Sequence, residues 1–174
     1  MKARILLGII LLLVTFGIVF AIKNYSGASS LESKECGKYS VLAEDNDDRI
    51  RFFSQFGIEV SPQPIEEVEI AIPTEFNKVY EKYNKIQKEN GLDLEKHKGK
   101  TCTRYTYNVL NYNNKKEGVR ANILVLNGKV IAGDICSVEL GGFMHSFNKN
   151  TKNKFEKSEV TYKINKTSAV NARI

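Results

Sequence analysis

Along this chain the apolar positions change their spacing from segment to segment, and each spacing implies a different element. Ile5 to Ile22 is an unbroken run of 18 uncharged residues; as a helix rising ~1.5 Å per residue it covers roughly 27 Å, close to the hydrocarbon thickness of a bilayer. The Ser/Gly-rich stretch up to residue 43 reads as a flexible tether. Ile50, Phe53 and Phe56 then recur at three-residue intervals behind Asp45, Asn46 and Asp47, any of which can cap a short helix that Gly57 stops. Val68, Ile70 and Ile72 alternate with Glu67, Glu69 and Ala71, which predicts a half-buried strand ended by Pro73. Phe76, Val79, Tyr80, Tyr83 and Ile86 make the apolar stripe of the strongest helix, capped by Thr74 and closed by Gly91.

Three strands follow, within 101–112, 119–127 and 129–136, with Asn127-Gly128 forming a two-residue type I′ turn between the last two. That turn pairs Val119, Ala121, Ile123 and Val125 with Cys136, Asp134, Ala132 and Val130, an apolar face except at Asp134. The strand face carrying Tyr105, Tyr107 and Val109 matches this surface. Asp134 is therefore expected to be a partly buried carboxylate held by hydrogen bonds, facing Ala121, with the Tyr107 phenol reaching across to donate to it. Cys102 and Cys136 fall at opposite ends of the meander and should not pair. The fold class is α+β: a membrane helix at 1–22, a tether at 23–43, one domain at 44–147 with its main helix on an antiparallel sheet, and a basic, mostly mobile tail at 148–174. In that tail only Val160, Tyr162 and Ile164 alternate, enough for one edge strand.

Charge changes the picture less than its total suggests. The net charge is +6, but residues 40–147 hold 14 basic and 16 acidic residues and the surplus sits in the ends. The central segment has no basic stripe for a nucleic acid. Lys2 and Arg4 ahead of the apolar run, against Lys23 behind it, keep the N-terminus in the cytoplasm and the rest outside. The alternative is secretion after signal cleavage near Ala21. Three cysteines in an exported chain leave one over; Cys36, on the tether, is the candidate for a disulfide-linked dimer.

The blocks RFFSQFGIEVSPQPIEE, IPTEFNKVYEKYNKIQKENGLDLEKHKGKTCTRYTYNVLNY, VRANILVLNGKVIAGDICS and GGFMHSF, in this order over roughly residues 45–147, resemble the domain of unknown function 4830 of Gram-positive Firmicutes. The resemblance implies a small protein with an N-terminal membrane segment or lipoprotein signal, and it carries no catalytic residue over to this chain.

Candidate chemistry is concentrated in VIAGDICSVELGGFMHSF, which holds Asp134, Cys136 and His145. A thiol enzyme would use Cys136 as nucleophile, His145 as base and Asp134 as its orienter. Yet Asp134 and Cys136 lie on the expected core face, where a thiol is inert. Zinc would need a fourth ligand at recognisable spacing, and none is present; no cofactor motif occurs. Gly141-Gly142 reads as a turn, and Tyr112, His97 and the 113–118 loop as contact candidates. The expected function is a membrane-tethered extracytoplasmic binding module of a Gram-positive envelope, without enzymatic activity, meeting an envelope protein or polymer. The alternative is the thiol enzyme.

Overall fold

A computed structural model describes residues 30–113 and 118–147. The anchor expected at 1–22, the tail at 148–174 and most of the 113–118 loop lie outside these residues. Among the described residues no helix is long and apolar enough to cross a membrane. Two strands, β1 (Ser30–Ser33) and β2 (Gly37–Ser40), form a hairpin ahead of helix α1 (Asn46–Ser54). Five more follow: β3 (Glu66–Ala71), β4 (Thr101–Asn108), β5 (Val119–Leu126), β6 (Lys129–Ser137) and β7 (Met144–His145). They make one sheet in chain order, with every neighbouring pair antiparallel. Helix α2 (Lys78–Asn90) and a 3-10 turn (Leu94–His97) connect β3 to β4. The architecture is α+β, as the periodicities predict.

Helix α1 builds the main core. Asp45 caps it, accepting the Asp48 amide at 2.7 Å, and Phe52, Phe53 and Phe56 pack against one another and against Phe147. This aromatic layer covers one face of the sheet, where Tyr107, Val109, Val119, Ala121, Ile123 and Ile135 are buried. The tether expected at 23–43 is corrected here, because from Ser30 onward the chain is folded. Tyr39, Val41 and Ala43 alternate into the core, and the Tyr39 hydroxyl donates to the Asn90 carbonyl at 2.6 Å. The Ser/Gly content of the segment hides a period of two that starts only at Tyr39. Cys36 lies in the β1–β2 turn, half-buried, with Sγ 3.9 Å from the Glu89 carbonyl. It is not on a free linker, and the argument for a dimer through it loses its premise.

The second correction concerns register. Asn127 and Gly128 have φ of 50° and 70°, as a type I′ turn requires, and Leu126↔Lys129 and Val125↔Val130 pair as expected. Beyond them a bulge intervenes: Leu124 faces Ala132, leaving Ile131 as an extra residue. A shift of one residue exchanges the two faces of a strand. Asp134 therefore pairs with Asn122 and Cys136 with Arg120, not with Ala121 and Val119. Ala121 pairs with Ile135, which puts Ile135 rather than Asp134 on the aromatic core face.

Helix α2 begins later than expected, with Asn77 rather than Thr74 as its cap, and ends at Gly91 with φ 85°. Its buried residues are Asn84, Gln87 and Asn90, which are three residues apart and so share a face. The reason lies in β6. Strand β7 pairs only with Ile135 and Cys136, so the backbone of Gly133 is left without a partner strand on that side. Gln87 Oε1 accepts the Gly133 N–H at 2.7 Å, and Asn90 Nδ2 donates to the Gly133 carbonyl at 3.0 Å. Asn90 Oδ1 also accepts the Phe147 amide at 2.8 Å. The helix closes an open sheet edge with side-chain amides. Its apolar stripe sits to one side: Phe76 and Tyr83 lean on a smaller cluster of Ile72, Leu94, Cys102, Leu124, Ile131 and Ala132, and Val79 is 73% exposed.

Candidate binding groove

Because α2 crosses only one end of its face of the sheet, the remainder of that face lies open as a groove of about 1030 Å³. Its floor comes from alternate positions of three strands: Arg104 and Thr106 on β4, Arg120 and Asn122 on β5, Asp134 and Cys136 on β6. Its rim is apolar. Ile65 before β3, Val79 on α2, and Val138 and Met144 around the β6–β7 turn are all exposed large hydrophobic residues.

Asp134 is the centre of the floor's hydrogen bonding. It is 2% exposed, and its carboxylate accepts from the Tyr83 hydroxyl at 2.9 Å and from Asn122 Nδ2 at 3.0 Å. Asn122 Nδ2 also reaches Cys136 Sγ at 3.3 Å, while Asn122 Oδ1 accepts from Thr106 at 2.9 Å. Arg104 is paired with Glu66 at 2.8 Å, and Arg120 donates to Asn108. Asp134 is hydrogen-bonded as expected, but it is fully rather than partly buried, and its tyrosine is Tyr83 from α2 instead of Tyr107. Tyr107 is on the opposite face, donating to Asn46 at 2.9 Å and accepting from Arg49 at 3.0 Å. The bulge is what separates Tyr107 from Asp134.

Burial pushes the Asp134 carboxyl above its ordinary value of 3.8, against the pull of its hydrogen bonds with Asn122, Tyr83 and Cys136 and of the Arg104 charge. The folded state thus holds a proton that the unfolded chain releases. Its stabilising effect is full below pH 3.8 and is lost as the pH rises through the folded-state value. Measured by urea unfolding across pH 3.5 to 8, wild-type stability relative to Asp134→Asn should fall with rising pH and then level. A difference that is flat or rises with pH would show that the carboxyl is not raised.

The groove does not unite Cys136 with His145. Ile135 pairs with His145 and Cys136 with Met144, and residues paired across an antiparallel sheet share a face. His145 is therefore on the side away from Cys136. Its Nε2 lies 3.0 Å from the Tyr112 hydroxyl and its ring stacks on Phe143. Tyr112, expected as an exposed contact, is half-buried in that stack, 5.1 Å from Phe143. His97, the other contact candidate, ends the 3-10 turn, half-buried and outside the groove, where burial and Lys100 and Lys96 lower its pKa. Burial and the Asp134 charge push the Cys136 thiol up, which holds it protonated at neutral pH. Among the described residues no disulfide joins the cysteines, and Cys102 and Cys136 lie at opposite ends of the meander as the pattern predicts. Gly141 has φ 73° and Gly142 donates to the Glu139 carbonyl at 2.9 Å, the expected turn.

Sequence reasoning missed Tyr83, Asn122, Arg104 and Arg120 as a set. One signal was present: Arg104 and Thr106 alternate as the polar face of β4. The bulge at Ile131, which aligns Asp134 and Cys136 with them, has no mark of its own in the sequence.

Residues 52–135 match the family model described as a domain of unknown function, DUF4830. No curated protein and no solved structure matches the chain. The matched range runs from within α1 into β6 and so contains the floor residues Arg104, Thr106, Arg120, Asn122 and Asp134, whereas Cys136, the β1–β2 hairpin, Phe147 and the rim residues Val138 and Met144 lie outside it.

Proposed function

With residues 52–135 belonging to the DUF4830 family, we propose that this protein is a binding module whose ligand lies in the groove beside α2, held outside the membrane of a Gram-positive envelope by its N-terminal apolar segment. The observation that carries the reading is the apolar rim around a polar floor. Four large hydrophobic side chains, Ile65, Val79, Val138 and Met144, stay in water around one concavity, and apolar surface gathered in this way marks a site of interaction. The apolar run Ile5–Ile22 and its basic flank support the tethering. A thiol enzyme is less well supported, since His145 faces away from Cys136 and the thiol is held protonated.

The test is site-specific photo-crosslinking in cells. A photoreactive benzoyl-phenylalanine in place of Val79 should give a discrete adduct, and the same residue in place of Ser54, exposed on α1, should give none. Adducts of equal yield from both positions, or from Ser54 alone, would remove the groove as the binding site.

A further inference from the structure

Resting on the groove as the binding site, we propose that its occupant is an anionic amphiphile, a single hydrocarbon chain along the apolar rim with its negatively charged head held by Arg104 and Arg120.

The size of the site argues for a small ligand. About 1030 Å³ lies at the upper limit, marginally above the roughly 300–1,000 Å³ usual for small-molecule sites. A stable protein partner would cover about 800 Å² of this domain, and one groove beside a single helix does not offer that.

The charge of the lining sets the sign of the head. Three cations line the groove, Lys82, Arg104 and Arg120, and two carboxylates, Glu66 and Asp134. Both carboxylates are already engaged, Glu66 by Arg104 and Asp134 by Tyr83 and Asn122. The cations are not saturated. Arg104 gives one Nη2 bond to Glu66, while its Nε is buried with no acceptor. Arg120 gives Nη1 to Asn108, which leaves most of its five donors unused. Among the described residues Lys82 has no ion-pair partner. What the floor lacks is an acceptor. A carboxylate or phosphate supplies that acceptor in the geometry a guanidinium prefers. An ammonium head, which can only donate, leaves the Arg104 Nε stranded, at a cost typical of buried unpaired donors, and a neutral hydroxyl or carbonyl accepts from it without the charge assistance that an anion supplies. The rim then takes the hydrocarbon portion, and a purely polar anion would leave it uncovered.

The experiment uses the full chain in phosphatidylcholine nanodiscs, irradiated with dodecanoate carrying a terminal diazirine or with the matching dodecylamine, and adducts mapped by peptide mass spectrometry. Dodecanoate should label the peptides of Val79, Val138 and Met144 about tenfold more than the amine, the ratio expected for one charge-assisted contact. In Arg104→Gln/Arg120→Gln the two probes should label equally. Arg104→Lys/Arg120→Lys, which keeps the charge, should retain a preference if the glutamine variant fails to fold. Equal labelling of the wild-type groove by both probes would overturn the anionic head while leaving the groove a binding site. No groove labelling by either, with a polypeptide adduct from the photoreactive position 79, would make the occupant a protein. No adduct in either experiment would overturn the groove reading itself.

Discussion

Gly133→Ala is expected to destabilise the protein by at least about 3 kcal/mol, at the upper end of what overpacking a core costs. A Cβ at this position would lie 2.6 Å from Cζ of Phe147 and 2.7 Å from the Asn122 carbonyl oxygen. The second of these is backbone of the neighbouring strand and cannot rotate away. Phe147 is equally constrained, since it is buried and packed on Phe52, Phe53 and Phe56. Any shift of β6 to relieve the contact would also stretch the two bonds that Gln87 and Asn90 make to the Gly133 backbone. Against a total stability of about 5–15 kcal/mol, such a loss leaves little folded protein at physiological temperature. Chemical denaturation followed by circular dichroism measures it. Gly141→Ala is the control: φ is 73° there but nothing lies within 4 Å of the added carbon, so only backbone strain of about 1 kcal/mol applies. Equal losses for the two variants would show that the neighbours of Gly133 yield.

The parts of this fold that local spacing controls were legible, and those that depend on long-range edges were not. Asp45, Gly91 and Asn127-Gly128 each act on the few residues beside them, and each does what its chemistry predicts. The faces of β4 were also readable, because Tyr105, Tyr107 and Val109 alternate with Arg104, Thr106 and Asn108. On β6 the run Val130-Ile131-Ala132-Gly133 is apolar throughout, so the pattern cannot show where the bulge falls. Every facing on that strand beyond Ile131 was then inverted. The hydrogen bonding of Asp134 is legible from its place among the apolar residues of β6, whereas its burial is more complete than the partial burial that the pattern predicts. Its partner was misread, since that follows from the register.

The groove was legible only in part for the same reason. Arg104 and Thr106 announce a polar face, but an open one is known only once α2 is placed. The apolar stripe of α2 argues that it should cover the sheet with Val79, Tyr80 and Ile86. A side-chain amide seated on a strand edge outweighs part of that stripe, and no period in the sequence signals an unpaired edge produced by a two-residue β7.

Replacing residues of α2 tests this inversion directly. Asn90→Ala should cost about 2–6 kcal/mol, because it leaves two buried groups, the Gly133 carbonyl and the Phe147 amide, without partners at about 1–3 kcal/mol each. Asn90 is fully buried, so water cannot take its place without a cavity opening. Val79→Ala, which removes two methyl groups from a side chain that is 73% exposed, should change stability by no more than about 0.5 kcal/mol. The usual ranking of an amphipathic helix is reversed: the polar substitution is the damaging one. Thermal and urea unfolding of the two variants side by side measures the order. If Val79→Ala proves the costlier, α2 is held down by its apolar stripe, the groove is closed in solution, and the site built on its openness does not exist.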